Sequence, residues 1–304
     1  MAPSVETFAL PQRRRVAGLA FGSMRSIRRG SGSDVAGSRP YFPGDDIRTI
    51  DRAASARLSS AHARDEWVVR QTYADEAARV VVVADRRPSM GLFPDGLPWL
   101  RKPLALAAVV DVVSRSAAAA ACVTGLIAAG DSAEPDWLPP GRSSAEELAA
   151  AARADRFDAP EDTLDRALDH LALRARLPTG SFVFLVSDFL AFPDADVLGE
   201  ALARRWEVVP VVVQDPVWER SFPEVAGVLL PLADPASGSV RPVRLTKVEV
   251  RGLREAHELR WAETLDRLES FDLDPVVVDS HDPARVLAAF QAWADRGAGV
   301  GGRL

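Results

Sequence analysis

The chain has 304 residues, 47% of them apolar and 26% charged, and a formal net charge of −6. This composition predicts a folded globular protein of one or two domains and excludes a disordered or fibrous chain. The single cysteine, Cys122, excludes an internal disulfide, and four scattered histidines without zinc-motif spacing argue against a zinc enzyme.

The N-terminal part of the chain is basic. The first 70 residues contain 12 arginines and seven acidic residues, whereas the rest of the chain is acidic. Because no aromatic-interleaved basic motif accompanies these arginines, we expect ion pairing rather than a nucleic-acid partner. We also expect a cytoplasmic protein, since there is no signal-peptide pattern and the longest uncharged stretch, between Arg115 and Asp131, is too short to span a membrane.

The first quarter of the chain lacks long apolar runs. Residues 1–29 are dotted with arginine and predict an N-terminal arm, either a peripheral helix or an extended segment. Residues 30–78 are rich in turn formers, with Pro43-Gly44 placed as in a type II turn, and short strands are predicted around residues 66–73. We therefore expect a small β-rich extension before the main domain.

Residues 79–296 have the pattern of an α/β domain. Continuous β-branched runs predict strands buried on both faces, and amphipathic segments between them predict helices. This alternation is typical of a mainly parallel sheet between helices, because parallel strands need crossover connections. The predicted strands are 80–85, 121–130, 181–188, 206–215 and 274–280; the predicted helices are 99–119, one opening at 143, 163–173, 194–204, 249–268 and 283–295; a hairpin is predicted from 225–232 and 240–245, and a disordered tail from 297–304.

Two of the predicted strands end in an acid, Asp85 and Asp188. Function collects at the carboxyl ends of the strands in an open parallel sheet. Carboxylates and hydroxyls gathered at one sheet edge are the ligands that Mg²⁺ requires. Helix caps and ion pairs explain strand-end acids as readily as a metal does.

The loop after the first of these strands, DRRPSM, resembles the first metal-binding motif, Asp-x-Ser-x-Ser, of von Willebrand factor A domains. In that family the metal ion-dependent adhesion site adds a threonine from a later loop and an aspartate from a later strand end. The resemblance implies four Mg²⁺ ligands in this chain, which are Asp85, Ser89, Thr163 and Asp188.

Arg87 stands where that motif has its first serine, and Arg86 precedes it. A guanidinium is permanently charged and cannot bind a cation. Beside carboxylates it forms bidentate ion pairs. We therefore expect a degenerate adhesion site in which Arg86 or Arg87 neutralises the acids in place of a metal.

The segment upstream, GSDVAGSRPYFPGDDIRTIDRAASAR, closely resembles the signature of the bacterial family called domain of unknown function 58. Arg52 replaces the tryptophan that is usual in that signature. The matching residues are Gly32, Ser33, Asp34, Gly37, Arg39, Tyr41, Gly44, Asp45, Asp46, Arg48, Ile50, Asp51, Ser55, Ala56 and Arg57.

This second resemblance implies a Rossmann-like, von Willebrand A-like domain behind a short β-rich element. Members of the family are typically found beside MoxR-type AAA+ ATPases and are thought to act with them in assembling or activating other proteins. We therefore expect a non-enzymatic adaptor with such an ATPase and an unidentified client as partners. The expected partner-binding residues are Arg39, Tyr41, Asp45, Asp46, Arg48, Asp85, Arg87, Ser89, Thr163 and Asp188.

Three alternatives follow from the same residues. The arginines and aspartates of the signature segment form either a structural lock or a partner-binding face. The strand-end acids also allow a Mg²⁺-dependent hydrolase such as a nuclease. A working adhesion site, in which a partner's acidic side chain completes the metal ligands, is the third alternative.

Overall fold

The computed structural model describes residues 6–10, 25–41, 50–62, 67–75, 79–91, 100–130, 132, 134–141, 143–153, 156–175, 177–234 and 239–301. The chain divides into two compact units. The smaller unit is Arg15–Ala78, and the larger consists of Met1–Arg14 together with Arg79–Leu304.

The smaller unit contains an irregular two-stranded antiparallel sheet and one helix. Its elements are β1 (Arg25–Pro40), α1 (Arg52–His62) and β2 (Val68–Asp75). The pairing of β1 with β2 shifts register three times, between Arg25 and Gly37. Glycine and serine tolerate such bulges, which is why this turn-rich segment forms a strand that the sequence did not predict.

The larger unit is built on a six-stranded sheet, flanked by helices. The strands of this sheet are β3 (Arg79–Ala84), β4 (Val123–Ala128), β5 (Asp136–Leu138), β6 (Phe182–Ser187), β7 (Glu207–Val213) and β10 (Val276–Val278). Two further strands, β8 (Leu229–Ala233) and β9 (Val240–Arg244), form a separate hairpin. The order across the main sheet is β10-β7-β6-β3-β4-β5, parallel except for β5. The predicted α/β class with a mainly parallel sheet is confirmed, and the strand order is consistent with a Rossmann-like or von Willebrand A-like fold.

Helices cover both faces of this sheet. They are α2 (Lys102–Ala119), α3 (Ala145–Ala152), α4 (Thr163–Asp169, followed by a π-helical turn at His170–Arg174), α5 (Ala195–Ala203), α6 (Lys247–Ser270) and α7 (Pro283–Gly301). Val80 and Val82 of β3 pack into the core with α2, α3 and α7, whereas Val81 and Val83 pack into the opposite core with α4 and α5. A strand buried on both faces explains its unbroken valine run.

The N-terminal residues belong to the core of the larger unit. Phe8 and Leu10 are buried there, and the Phe8 ring stacks on that of Phe290 with centroids 4.7 Å apart. Within the arm predicted for residues 1–29, residues 6–10 pack in this core, and from Arg25 the chain is in β1. At the other end, α7 continues to Gly301, where the sequence predicted a disordered tail.

The hairpin of β8 and β9 packs one face on a small apolar cluster with Phe222, Leu245 and Val250. Its outer face is exposed, and Leu229 and Val240 keep 61% and 60% of their surface accessible. No helix in the described part of the chain is both long and apolar enough to cross a membrane.

Candidate functional site

The candidate site lies at the carboxyl ends of β3 and β6. These strands are adjacent and parallel, and the chain leaves them for helices on opposite faces of the sheet. Such a switch point is where α/β proteins bind ligands, because the diverging connections leave a crevice. Asp85 follows β3 and Asp188 follows β6, and the Asp85 amide donates to the carbonyl of Val186, 3.0 Å away.

The carboxylate of Asp85 is paired with Arg87. Nη2 of Arg87 lies 2.5 Å from Oδ2 of Asp85, and Nε lies 3.0 Å from both carboxylate oxygens. Ser187 donates its hydroxyl to Oδ2 at 2.7 Å, and Nη1 of Arg87 donates to the carbonyl of Ala191 at 2.7 Å. Both carboxylate oxygens of Asp85 therefore accept from donors of this chain, and the ion pair expected from the sequence is present.

Arg86 has a different role from Arg87. Its Nη2 donates to the carbonyl of Ala151 at 3.0 Å, and its guanidinium lies over the ring of Phe157, 5.1 Å from the centroid. Burial lowers the pKa of Arg86, although Asp136 and Asp85 oppose that shift. Of the two arginines considered from the sequence, Arg87 forms the ion pair with Asp85.

The carboxylate of Asp188 is paired with a lysine that the sequence analysis did not single out. Nζ of Lys102 lies 2.9 Å from Oδ2 of Asp188, 2.5 Å from Oε1 of Glu219 and 3.2 Å from the carbonyl oxygen of Ser89. The Lys102 side chain is fully buried, and Glu219 is 13% exposed. Lys102 begins α2, and Glu219 lies beyond the end of β7, so the contact joins two segments far apart in sequence.

The electrostatics of this cluster favour a charged lysine. Burial alone would lower the pKa of Lys102, but Asp188 and Glu219 together outweigh it and hold that pKa above its ordinary value. Burial would raise the pKa of Asp188, yet Lys102, Ser89 and Arg87 hold it below its ordinary value. For Glu219 burial prevails over Lys102 and raises the pKa. Lys102 is therefore a charged group that contacts both Asp188 and Glu219.

The structure brings together three of the four residues predicted as metal ligands. The hydroxyl of Ser89 hydrogen-bonds to Asp188, and Asp85 lies beside the same cluster through Arg87, whose Nη2 is 3.9 Å from Oδ1 of Asp188. Thr163 has its hydroxyl directed elsewhere, donating to the carbonyl of Ala129 at the end of β4. All four side chains are buried.

These residues do not fit a divalent cation. Both carboxylates are turned toward cationic side chains of the same chain, and the Thr163 hydroxyl is committed to a backbone carbonyl. An added Mg²⁺ would lie close to a guanidinium and an ammonium, and like charges in a buried site repel strongly. In the described residues no three histidine, cysteine or acidic side chains are arranged to hold a metal.

Three described residues of the signature segment, Tyr41, Asp51 and Ser55, make contacts that stabilise the smaller unit. Asp51 caps α1, accepting from the amides of Ala53 and Ala54 at 3.1 and 3.0 Å. Buried Ser55 accepts from the amide of Val68 at 2.9 Å and so ties α1 to β2. The amide of Tyr41 donates to the carbonyl of Trp67 at 2.8 Å.

Other members of that segment are less informative. Arg39 is in β1, where its backbone pairs with Val69, and Arg57 is exposed and donates to the carbonyl of Ala53. Asp45, Asp46 and Arg48 lie outside the described residues. The described contacts of this segment are helix capping and backbone bridging.

Sequence reasoning missed four residues of the site: Lys102, Ser187, Gln214 and Glu219. Gln214 donates to the Asp188 carbonyl at 2.6 Å, and its Oε1 has no hydrogen-bond partner. One signal was available, because Lys102 is one of only two lysines among 37 basic residues. Ser187 and Gln214 gave none, since a polar residue at a strand end is common.

The fold and this site define an α/β protein whose strand-end carboxylates are neutralised from within the chain. The model of a family described as "Protein of unknown function DUF58" matches residues 37–262. The chain belongs to this family.

The names of the similar proteins described below do not state an activity. Uncharacterized proteins of Mycobacterium bovis and Mycobacterium tuberculosis are each 29% identical over 243 residues, which is 79% of this chain and 73% of theirs. Among solved structures, the hypothetical protein BatB of Bacteroides thetaiotaomicron has a TM-score of 0.39 at 16% identity, over 73% of this chain and all of that one. Proximal thread matrix protein 1 of the mussel byssus has a TM-score of 0.35 at 12% identity, over 45% of this chain and 38% of that one.

Proposed function

We propose that this protein is a non-enzymatic adaptor that binds other proteins, with a MoxR-type AAA+ ATPase as its principal partner. Its client is a protein that the ATPase assembles or activates. The proposal includes a degenerate metal ion-dependent adhesion site at the ends of β3 and β6. The compartment expected for this encounter is the cytoplasm, where an ATPase finds its nucleotide.

One observation carries the proposal: each strand-end carboxylate is paired with a buried cation from the chain itself. Asp85 is held by Arg87, and Asp188 by Lys102. Metal-assisted hydrolysis needs carboxylates that are free to hold a metal and to position water. Because these two carboxylates hold side chains instead, the arrangement favours a site that shapes a binding surface over one that performs chemistry.

The rim residues support the fold of this surface and do not themselves form the contact. Asp85, Arg87, Ser89 and Asp188 are each at most 6% exposed, so a partner meets the side chains around them. Residues 39–48 of the signature segment are the proposed contact in the smaller unit. The charged residues within them, with which a partner would pair, are Arg39, Asp45, Asp46 and Arg48.

The larger unit offers a second contact on the outer face of its hairpin. Leu229, Pro231, Val240 and Pro242 are exposed there, and exposed apolar patches are a feature of protein-interaction sites. Arg241 and Arg244 of β9 are also exposed. This combination fits a partner surface that has carboxylates beside apolar side chains, and we assign that surface to the ATPase.

A binding experiment with purified proteins tests the proposal. The MoxR-type ATPase encoded by the same organism is immobilised with ATP, ADP or a slowly hydrolysed ATP analogue, and binding of this chain is measured by biolayer interferometry. We expect nucleotide-dependent binding that Asp45→Ala, Arg48→Ala or the Leu229→Asp/Val240→Asp double variant weakens at least ten-fold, without a lower melting temperature.

Leu173→Asp is the matched control, because Leu173 is also exposed, at 67%, but lies in the π-helical turn after α4. It should bind as the unchanged protein does. Absence of binding in every nucleotide state, together with an EDTA-sensitive nuclease activity that Asp85→Ala abolishes, would overturn the adaptor in favour of a hydrolase.

A further inference from the structure

The ammonium of Lys102 lies among oxygens that suit a hard metal ion. Its neighbours are a carboxylate oxygen of Asp188, a carboxylate oxygen of Glu219 and the carbonyl oxygen of Ser89, all within 3.2 Å. Carboxylate and backbone carbonyl oxygens are the ligands that Mg²⁺, Mn²⁺ and Ca²⁺ take in proteins. The cluster therefore has the oxygen ligands of a cation site, and the Lys102 nitrogen lies among these oxygens.

A lysine at position 102 suits a site with several oxygens better than an arginine would. Only two of the 37 basic residues in the chain are lysines. An ammonium is a compact charge whose three donors diverge, whereas a guanidinium is a flat fork that suits one carboxylate at a time. Arg87 pairs in that forked way with Asp85, and Lys102 bridges several oxygens, as a metal ion does.

Helix position adds a second argument. Lys102 is the first residue of α2, and a basic residue there opposes the positive end of the helix dipole. A buried lysine also loses its hydration. Its presence is therefore explained by the oxygens that surround its ammonium and not by the stability of α2 itself.

We propose that Lys102 is a tethered internal cation that takes the place of a divalent ion, and that removing its side chain converts this cluster into a site for Mg²⁺, Mn²⁺ or Ca²⁺. The inference rests on the degenerate-site part of the proposed function and is independent of any partner protein. If the protein failed to bind the ATPase, the inference about Lys102 would still hold. If the inference about Lys102 failed, the proposed adaptor function would still hold.

Thermal unfolding of purified variants tests this inference. Lys102→Ala removes the cation nearest to Asp188 and Glu219, so we expect a lower melting temperature. Addition of MnCl₂, MgCl₂ or CaCl₂ should raise it by several degrees in a saturable way, at an ionic strength kept constant with NaCl. Titration followed by the electron paramagnetic resonance of free Mn²⁺ should show about one bound ion per chain.

Two variants are the controls. Lys102→Ala/Asp188→Asn lacks the central carboxylate and should not respond to the cations. Lys247→Ala removes the other lysine, which is exposed, and should behave like the unchanged protein, with no saturable shift.

Three results would overturn the inference. The first is a Lys102→Ala protein that responds no more than its Asp188→Asn double variant. The second is an unchanged protein that already shows the same saturable shift. The third is a Lys102→Ala protein that stays unfolded with the cations present, although the double variant folds.

Discussion

Arg87 and Asp85 lie two residues apart and form a buried ion pair in which Nη2 of the arginine is 2.5 Å from Oδ2 of the aspartate. The Asp85 side chain has no exposed surface, and that of Arg87 has 5%. Breaking such a pair from one side leaves a buried charge without compensation, which costs far more than the pair itself contributes.

We predict that Arg87→Ala lowers the free energy of unfolding by about 3–5 kcal/mol. Urea unfolding, followed by tryptophan fluorescence, measures the change. Arg156→Ala is the control, because Arg156 is 83% exposed in its pair with Asp158 and an exposed pair contributes at most about 1 kcal/mol. Equal free energies of unfolding in the two variants would contradict the prediction that Arg87 stabilises the buried Asp85 carboxylate.

Thr163 offers a test of its structural role. Its buried hydroxyl donates to the carbonyl of Ala129, so Thr163→Val leaves that carbonyl without its donor, at a cost of about 1–3 kcal/mol. Thr163→Ser keeps the hydroxyl and should restore most of the loss. Differential scanning calorimetry compares the three proteins, and a Thr163→Val protein as stable as Thr163→Ser would contradict this role.

Gly125 is predicted to be intolerant of a side chain. A Cβ at this position in β4 would lie 2.7 Å from the Leu138 carbonyl oxygen and from two atoms of Pro140. Gly125→Ala should therefore push β5 and the residues after it away from β4, at a cost of about 1–3 kcal/mol.

Gly199 is the matched position for that test. It lies inside α5 with nothing within 4 Å of an added Cβ, and replacing a helical glycine by alanine stabilises by about 0.5–1 kcal/mol. Gly199→Ala should raise the melting temperature where Gly125→Ala lowers it. Shifts of the same sign would contradict the packing described for β4 and β5.

His257 gives the protein a pH dependence. Burial, and then Arg260, lower its pKa below the ordinary value, while contacts with the backbone of Ser221 and Trp218 oppose them. The unfolded state then binds a proton more readily than the folded state does. The stability linked to His257 is therefore complete above the unfolded pKa of about 6.5 and is lost as the pH falls through the folded pKa.

Urea midpoints measured from pH 8 to pH 5 test this linkage. The unchanged protein should lose stability toward pH 5 by more than His257→Gln does, because glutamine does not titrate. Equal losses in the two proteins would assign the acid sensitivity to other groups.

The strands of the main sheet were predictable because burial on both faces demands long apolar runs, as Val80–Val83 and Phe182–Val186 illustrate. The strand-end acids were predictable for the same reason, since they mark where those runs stop. Lys102 was not, because its partners Asp188 and Glu219 lie 86 and 117 residues away and no local pattern records that distance. Strand β1 was missed because its glycines and serines favour turns until pairing with β2 fixes them.

Residues 6–10 and α7 meet in the core of the larger unit. Gln291 donates to the carbonyl of Thr7 at 3.4 Å across 284 residues of sequence, and Phe8 stacks on Phe290. During synthesis residues 6–10 are made long before α7, whose Phe290 stacks on the ring of Phe8. The packing around Phe8 is therefore completed only when α7 has been made, after the residues of the smaller unit have already been synthesised.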